Sequence, residues 1–396
     1  MMTGTNRRVF LGGLTLAAGG LASSQSLAFP NDGHAAGYDV SPSSDYVAQI
    51  PHRSGNPVTF TASLDGAAIK ATSGGWARDA TTKNLPIATD IAGAHLFLNP
   101  GGVREMHWHN SAEWAYILAG CSQVTVVDPE GEIEVANYMP GDLWYFPRGH
   151  SHSIQTLGSE PFHAILAFDD GAYGEHGTFG LSDWMSRLDP GMLAQVLGLR
   201  QDTLAQIPTG EVYIRQGEVI RRHGPQARAI QVLGPAQTHR FRLMSQIPRI
   251  SSAGGTLHVA SAQEYPISTT ITGMVVRLKP GAMYEPHWHA TANEWHYVAR
   301  GRTRVTLFAV DKRMAVAELS PGDCAYIPRG CGHSLQNIGT DECEIIGVLD
   351  NGTYSESTLS DWVAKVPRQL LANNLGLPEA AFAAARKRKS VIVAAT

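Results

Sequence analysis

The stretch Pro100-Gly101-Gly102-Val103-Arg104-Glu105-Met106-His107-Trp108-His109 returns 180 residues later as Pro280-Gly281-Ala282-Met283-Tyr284-Glu285-Pro286-His287-Trp288-His289. The agreement continues outward. Glu113-Trp114-Ala115-Tyr116 is answered by Glu294-Trp295-His296-Tyr297, and Pro140-Gly141-Asp142 by Pro321-Gly322-Asp323. Pro147-Arg148-Gly149 returns as Pro328-Arg329-Gly330, and His152-Ser153-Ile154-Gln155 as His333-Ser334-Leu335-Gln336. Leu181-Ser182-Asp183-Trp184 recurs as Leu359-Ser360-Asp361-Trp362. One inserted residue between His289 and Glu294 accounts for the change of offset from 180 to 181 between the first motif and those through His333. The chain therefore holds two copies of one domain, and the period is far too long for a solenoid repeat.

Within each copy, short runs of β-branched and aromatic residues are divided by Gly/Pro turns, as at 114–118, 123–127, 143–146 and 162–168. That pattern predicts an antiparallel sandwich or barrel, so the fold class is all-β with two tandem barrels. Each copy ends in a helical stretch, 181–199 and 359–377, with apolar residues at helical spacing. The expected layout is an N-terminal arm and first domain over 29–200, a linker with extra strands over 201–265, and a second domain over 266–396. The basic run Arg386-Lys387-Arg388-Lys389 reads as a frayed, solvated helix end.

Residues 1–28 read as a targeting segment: Arg7-Arg8, an apolar Gly/Ala-rich run over 11–22, then Ser26-Leu27-Ala28 as a cleavage site. This is the order of a twin-arginine signal peptide, implying export of the folded protein to the periplasm or beyond. No later stretch has the length of a membrane span, so no membrane association is expected after its removal. A formal net charge of −4 argues against a nucleic-acid partner. Cys121, Cys324, Cys331 and Cys343 contain no Cys-x-x-Cys pair, so a cysteine metal site is not expected, and four small core residues are.

In a strand, alternate side chains share a face, so His107 and His109 point one way and Trp108 the other. Glu113 follows after a bend, and His152 arrives from a distant strand past a Pro-Arg-Gly turn. Three imidazoles and one carboxylate can then converge; His287, His289, Glu294 and His333 repeat the set. A lone His-x-His is more often an ordinary core or surface pair, but this set occurs twice at matching spacing. The absence of thiolate disfavours structural zinc, and four ligands leave two open positions on an octahedral ion. Mn(II) or Fe(II) fits, although copper and zinc bind such ligands more tightly.

Over residues 70–377 the sequence resembles the bicupin oxalate decarboxylases. His-Trp-His-x3-Glu-Trp at 107–114 is similar to their first cupin motif, and His-Trp-His-x4-Glu-Trp at 287–295 to their second. Asp142-Leu143-Trp144-Tyr145-Phe146-Pro147, Leu85-Pro86-Ile87-Ala88-Thr89 and Pro266-Ile267-Ser268-Thr269-Thr270 also follow the family pattern. The resemblance implies two barrels of six to eight strands, manganese in both, dioxygen as co-catalyst, oxalate as substrate, and a homo-oligomer of trimers or paired trimers. It implies an oxalate-binding arginine just before the His-x-His, which is Arg104 in the first copy, whereas the second has Tyr284. It also implies a proton-carrying glutamate on a lid. Glu175 holds that place in Gly174-Glu175-His176-Gly177-Thr178, and Glu356 the lid-like place in Ser355-Glu356-Ser357-Thr358. A glutamate that some members carry at the end of the second barrel's last strand is replaced here by Val348. The expected reaction is cleavage of oxalate to formate and carbon dioxide, mainly in the first barrel. The alternatives are an oxalate oxidase releasing hydrogen peroxide, a non-catalytic metal-binding bicupin, or a cupin acting on another small acid or sugar.

Overall fold

The computed structural model describes residues 59–174, 177–229, 233–309 and 314–395. Two β-barrels follow one another, each pairing a seven-stranded with a six-stranded antiparallel sheet. In the first barrel, Ala92–Leu98, Glu113–Ala119, Leu143–Phe146 and Phe162–Phe168 form most of the larger sheet. Gly102–His109, Ser122–Val127, Ile133–Tyr138 and Ser151–Thr156 form most of the smaller one. Between the two sheets lies a core that includes Val124, Tyr138, Trp144, Phe146, Ile154 and Phe162. The second barrel repeats this around Val276, Val298, Val305, Ile327, Leu335 and Ile345. Ile250–Ser252 and Gly255–Ala260, expected in the linker, pair into the second barrel's larger sheet, which therefore reaches back before residue 266.

A third core lies between the barrels, and strand alternation creates it. Glu113, Ala115 and Ile117 are buried inside their own barrel, while Trp114 and Tyr116 join Tyr145, Trp295, Tyr297 and Tyr326 in the shared core. The contact is reciprocal. A Cβ on Gly93 would lie 2.1 Å from the Trp295 ring, and one on Gly273 would lie 2.3 Å from the Trp114 ring. Only glycine admits these indoles at such approach. Short strands are also exchanged: Thr61–Ser63 pairs with the second barrel at Asp323–Ala325, and Arg240–Phe241 pairs with the first at Leu143–Trp144.

The repeat runs further than the sequence motifs suggest. Ile214–Gln216 pairs with Gly102–Arg104, and Ile392–Val393 pairs with Met283–Tyr284. Each added strand follows a non-glycine residue at positive φ, Tyr213 at 63° and Val391 at 58°. Such backbone persists only when its surroundings hold it. Here Glu105 accepts from the Tyr213 N–H at 2.8 Å and from Ser182, and Glu285 accepts from the Val391 N–H at 2.7 Å and from Ser360. The two glutamates are thus structural staples. The basic run 386–389 is exposed, as expected, but it leads into further structure: Val391 and Ile392 beyond it are buried, and Lys389 pairs with Glu356.

The helical stretches are each broken in two, Leu181–Arg187 with Pro190–Leu197, and Leu359–Lys365 with Arg368–Leu375. Asp189 caps the second helix of the first pair by accepting from Met192 N–H, with Pro190 at the first helical position. No helix among the described residues is long and apolar enough to cross a membrane. Cys121, Cys324 and Cys343 are buried, and no disulfide joins cysteines among the described residues.

Candidate metal centres

The four-residue sets converge as the strand pattern predicts. In the first barrel the ligand atoms of His107, His109, Glu113 and His152 all lie within 4.8 Å of one another; those of His287, His289, Glu294 and His333 do the same in the second. His107 and His152 are direct cross-strand partners, as are His287 and His333. Glu113 Oε2 lies 3.1 Å from His109 Nε2 and 3.4 Å from His152 Nε2; Glu294 Oε2 lies 3.2 Å from His289 Nε2 and 2.7 Å from His333 Nε2. All eight residues are buried.

The outer nitrogens of the rings explain what the inner ones await. His107 Nδ1 donates to the Glu105 carbonyl at 2.6 Å, and His152 Nδ1 to the His150 carbonyl at 2.9 Å. His287, His289 and His333 do likewise to the carbonyls of Glu285, Ser355 and Cys331 at 2.7, 2.6 and 3.2 Å. His109 Nδ1 meets the Thr178 hydroxyl at 3.1 Å. Where Nδ1 faces a carbonyl the proton is held there and Nε2 keeps a lone pair, which in His152, His289 and His333 points toward the carboxylate ligand. The Nε2 atoms of His109, His152, His287, His289 and His333 are buried without a hydrogen-bond partner. Lone pairs facing a carboxylate repel unless a cation lies between them, so the donor set fits a divalent ion. Burial first, and then the neighbouring Arg104 charge, hold His107 well below its usual range, and burial pushes His109 down to about 4. Burial holds His287 low as well. Neutral imidazole is the ligating form.

The two centres differ just outside the ligands. Arg104 is 4% exposed, its Nη1 donates to the Tyr213 carbonyl at 3.0 Å, and its guanidinium carbon sits 4.1 Å over the Tyr213 ring. It lines a cavity of about 80 Å³ together with His107, Glu113, Phe168, Tyr173 and Tyr213. Among the described residues no carboxylate pairs with it, so its charge remains for a ligand. The equivalent place in the second barrel holds Tyr284, fully buried and stacked on His287 at 4.0 Å. The Tyr284 hydroxyl donates to the Glu356 carboxylate and meets the Tyr354 hydroxyl at 3.0 Å. Glu356, expected on a lid, has a side chain only 4% exposed and pairs with Lys389 at 2.7 Å. Glu175 lies outside the described residues. Val348 packs in the core between the barrels.

Sequence reasoning missed four neighbours. Tyr213 sits in the segment read as linker. Tyr173 stacks on Phe168 beside the cavity. Trp144 Nε1 donates to Glu113 Oε1 at 2.9 Å, whereas in the second barrel His296 Nε2 meets Glu294 Oε1 at 2.5 Å. The only signal was that Ala115 and His296 differ inside otherwise matching motifs.

Tandem barrels, each closing on three imidazoles and one carboxylate, define a two-domain metalloprotein of the cupin class. The model of the cupin family matches residues 64–204 and 241–381. An oxalate decarboxylase of Bacillus subtilis is 35% identical over 309 residues, 77% of this chain and 78% of that protein. A probable oxalate decarboxylase of Arthroderma benhamiae is 32% identical over 81% of this chain and 79% of its own length. The solved Bacillus subtilis oxalate decarboxylase at pH 4.6 superposes with a TM-score of 0.80 and 33% identity, covering 86% of this chain and 89% of that one. Another structure of that Bacillus enzyme, with the same TM-score of 0.80, comes from work on its Mn(II) centres. The chain belongs to the bicupin oxalate decarboxylase family.

Proposed function

We propose that this chain cleaves oxalate to formate and carbon dioxide in its first barrel. The observation that carries the reading is Arg104: a buried cation without a described anionic partner, facing a small cavity beside the ligand His107. Oxalate is a small dianion with no apolar surface, and a charge-assisted bond from the guanidinium fixes one of its carboxylates. Manganese held by His107, His109, Glu113 and His152 would supply divalent charge to the dianion and, with dioxygen, one-electron chemistry.

The protein's own groups do the rest. The Tyr213 carbonyl and ring hold the guanidinium in place, so little rotamer freedom is lost on binding. Phe168 and Tyr173 close one side of the cavity against water. Glu175, the acid that the family resemblance points to, would deliver a proton to the carbon left after carbon dioxide departs, and the electron removed first would return to that carbon, so that oxalate dianion and one proton give formate and carbon dioxide. Without that proton the fragment would pass its second electron to dioxygen and leave as a second carbon dioxide, with hydrogen peroxide as the reduced product, the oxidase outcome; delivery of the proton therefore sets the product. Glu356, tied to Tyr284 and Lys389, is the corresponding acid of the second barrel only if that pair opens. The second centre binds manganese for stability, since a ligand of the folded state alone stabilises it.

Residues 1–28 direct export of the folded, metal-loaded chain to the periplasm. The mature protein assembles with copies of itself, a reading supported by Trp184 at 53% and Trp362 at 59% exposure on equivalent helices. Light scattering on the purified protein tests this, and a monomer would refute it. The activity is tested by incubating the manganese-loaded protein with oxalate in air and measuring formate and peroxide together. One formate per oxalate with little peroxide is expected; peroxide without formate would establish the oxidase, and neither product a binding protein.

A further inference from the structure

The first barrel holds a second buried polar cluster that the reaction above does not use. Glu134, 1% exposed on the strand Ile133–Tyr138, accepts from the His239 N–H at 2.7 Å, His239 Nδ1 at 2.8 Å and the Thr238 hydroxyl at 2.6 Å. Burial works to raise the Glu134 carboxyl, but the bonds from His239 and Thr238 outweigh it and hold it below the usual range. His239, 2% exposed, places Nε2 at 3.0 Å from His150 Nδ1. A carboxylate thus fixes His239 with its proton on Nδ1, and His239 accepts from His150.

This chain of groups ends on two metal ligands. The His150 carbonyl accepts from His152 Nδ1. The residue after His239 begins the strand Arg240–Phe241, which pairs with Leu143–Trp144, and Trp144 donates to Glu113. The His239 carbonyl also takes the Tyr145 N–H at 3.2 Å.

The second barrel has the same backbone without these side chains. Ala315 stands where Glu134 does, each opposite the matching residue of the neighbouring strand, Leu307 and Val126. Cys331 replaces His150 and still gives its carbonyl to His333. Phe60 takes the place of His239, and its carbonyl accepts the Tyr326 N–H at 2.8 Å. The fold is therefore built equally well with apolar residues there. Burying a carboxylate and an imidazole, with a second imidazole half-buried beside them, is costly unless the buried groups are satisfied, and a satisfied network holds its members in one arrangement.

We propose that Glu134 and His239 are positioning residues of the first metal centre. Through His150 and Trp144 they fix the directions of His152 and Glu113, and they distinguish the catalytic centre from the second one. The inference rests on manganese binding in the first barrel, not on the identity of the substrate.

The test uses the full chain carrying Glu294→Ala, so that only the first centre takes up manganese. Into it go His239→Phe, the residue the second barrel uses, and Glu134→Gln, which keeps the side-chain shape. Manganese affinity, the fine structure of the Mn(II) paramagnetic resonance signal, and kcat and KM for formate release are measured. Manganese affinity should fall roughly 10- to 100-fold, the usual cost of losing a residue that orients a ligand. The Mn(II) signal should change, and kcat should fall more than KM rises. The proposal is overturned if the variants lose thermal stability yet keep the parent affinity and signal, since the cluster is then structural only. If His239→Phe does not fold, Glu134→Gln decides by the same measures. Altered manganese binding in a protein inactive toward oxalate would support the positioning role while refuting the proposed substrate.

Discussion

The two metal centres share their ligands and differ in almost everything that touches them. In the first, Arg104 faces a cavity, and an indole from Trp144 orients the carboxylate ligand. In the second, Tyr284 fills the arginine's place, its hydroxyl engaged by Glu356 and Tyr354, and His296 orients the carboxylate. Ligand convergence follows from the strand pattern that both copies inherit. What reaches the open coordination positions follows from residues that the copies do not share. A charged group suited to a dianion lies in one barrel; a closed phenol–carboxylate–lysine set lies in the other.

The largest effects should come from breaking one centre at a time. Glu113→Ala is expected to abolish formate release and reduce bound manganese from two ions per chain to one. Glu294→Ala should lose the same amount of metal and some thermal stability but keep most turnover. Metal analysis beside a formate assay checks both, and a reversed ranking would move catalysis to the second barrel.

The next contrast compares the residues at one register position. Arg104→Lys keeps the charge but loses the planar fork, and kcat/KM for oxalate should fall roughly 10- to 100-fold, the equivalent of one charged hydrogen bond or two. Tyr284→Phe removes only a hydroxyl held by Glu356 and should leave kcat/KM near the parent value. Greater damage from the tyrosine change would refute the assignment of roles. A smaller difference is expected from Trp144→Phe and His296→Phe. Each frees one carboxylate oxygen, and the first should weaken manganese binding and turnover together, by about tenfold, while the second weakens binding alone. Metal titration with parallel kinetics separates them.

Much of this was legible in the sequence because it depends on local spacing. Alternation in a strand places His107 and His109 together, and duplication of the motif made ligation the better reading of both histidines. The all-β class followed from the turns and short apolar runs. What escaped depends on contacts far apart in sequence. Tyr213 lies 109 residues beyond Arg104 yet holds its guanidinium. Lys389 looked like part of a solvated charge run, because nothing local reveals that Val391 and Ile392 form a strand against Tyr284. Ile250–Ser252 was too short a run to be assigned to a barrel before its partner strand was seen. Glu105 and Glu285 carry no local sign of their task, which is to hold backbone at positive φ more than a hundred residues away.

The smallest effect concerns acidity in the metal-free protein. Burial holds His107 well below its usual range and His109 at about 4, while unfolded histidine titrates near 6.5. Between those values the unfolded chain binds more protons than the folded one, so stability falls as pH drops through 6.5 toward 4. The second barrel is mixed. His287 behaves in the same way, but His289 is raised: burial lowers it, and the charge of Glu294 outweighs that. A raised histidine contributes stability below pH 6.5 that is lost as pH rises through its folded value. Acidification should therefore loosen the first barrel before the second. Calorimetry of the metal-free protein from pH 7 to 4.5 should show a falling Tm. Amide exchange at the acid end should open the strands Gly102–His109 and Ser151–Thr156 ahead of Met283–Trp288 and Gly332–Asn337. Equal opening of the two barrels would mean that the buried histidines of the first are not what acid attacks.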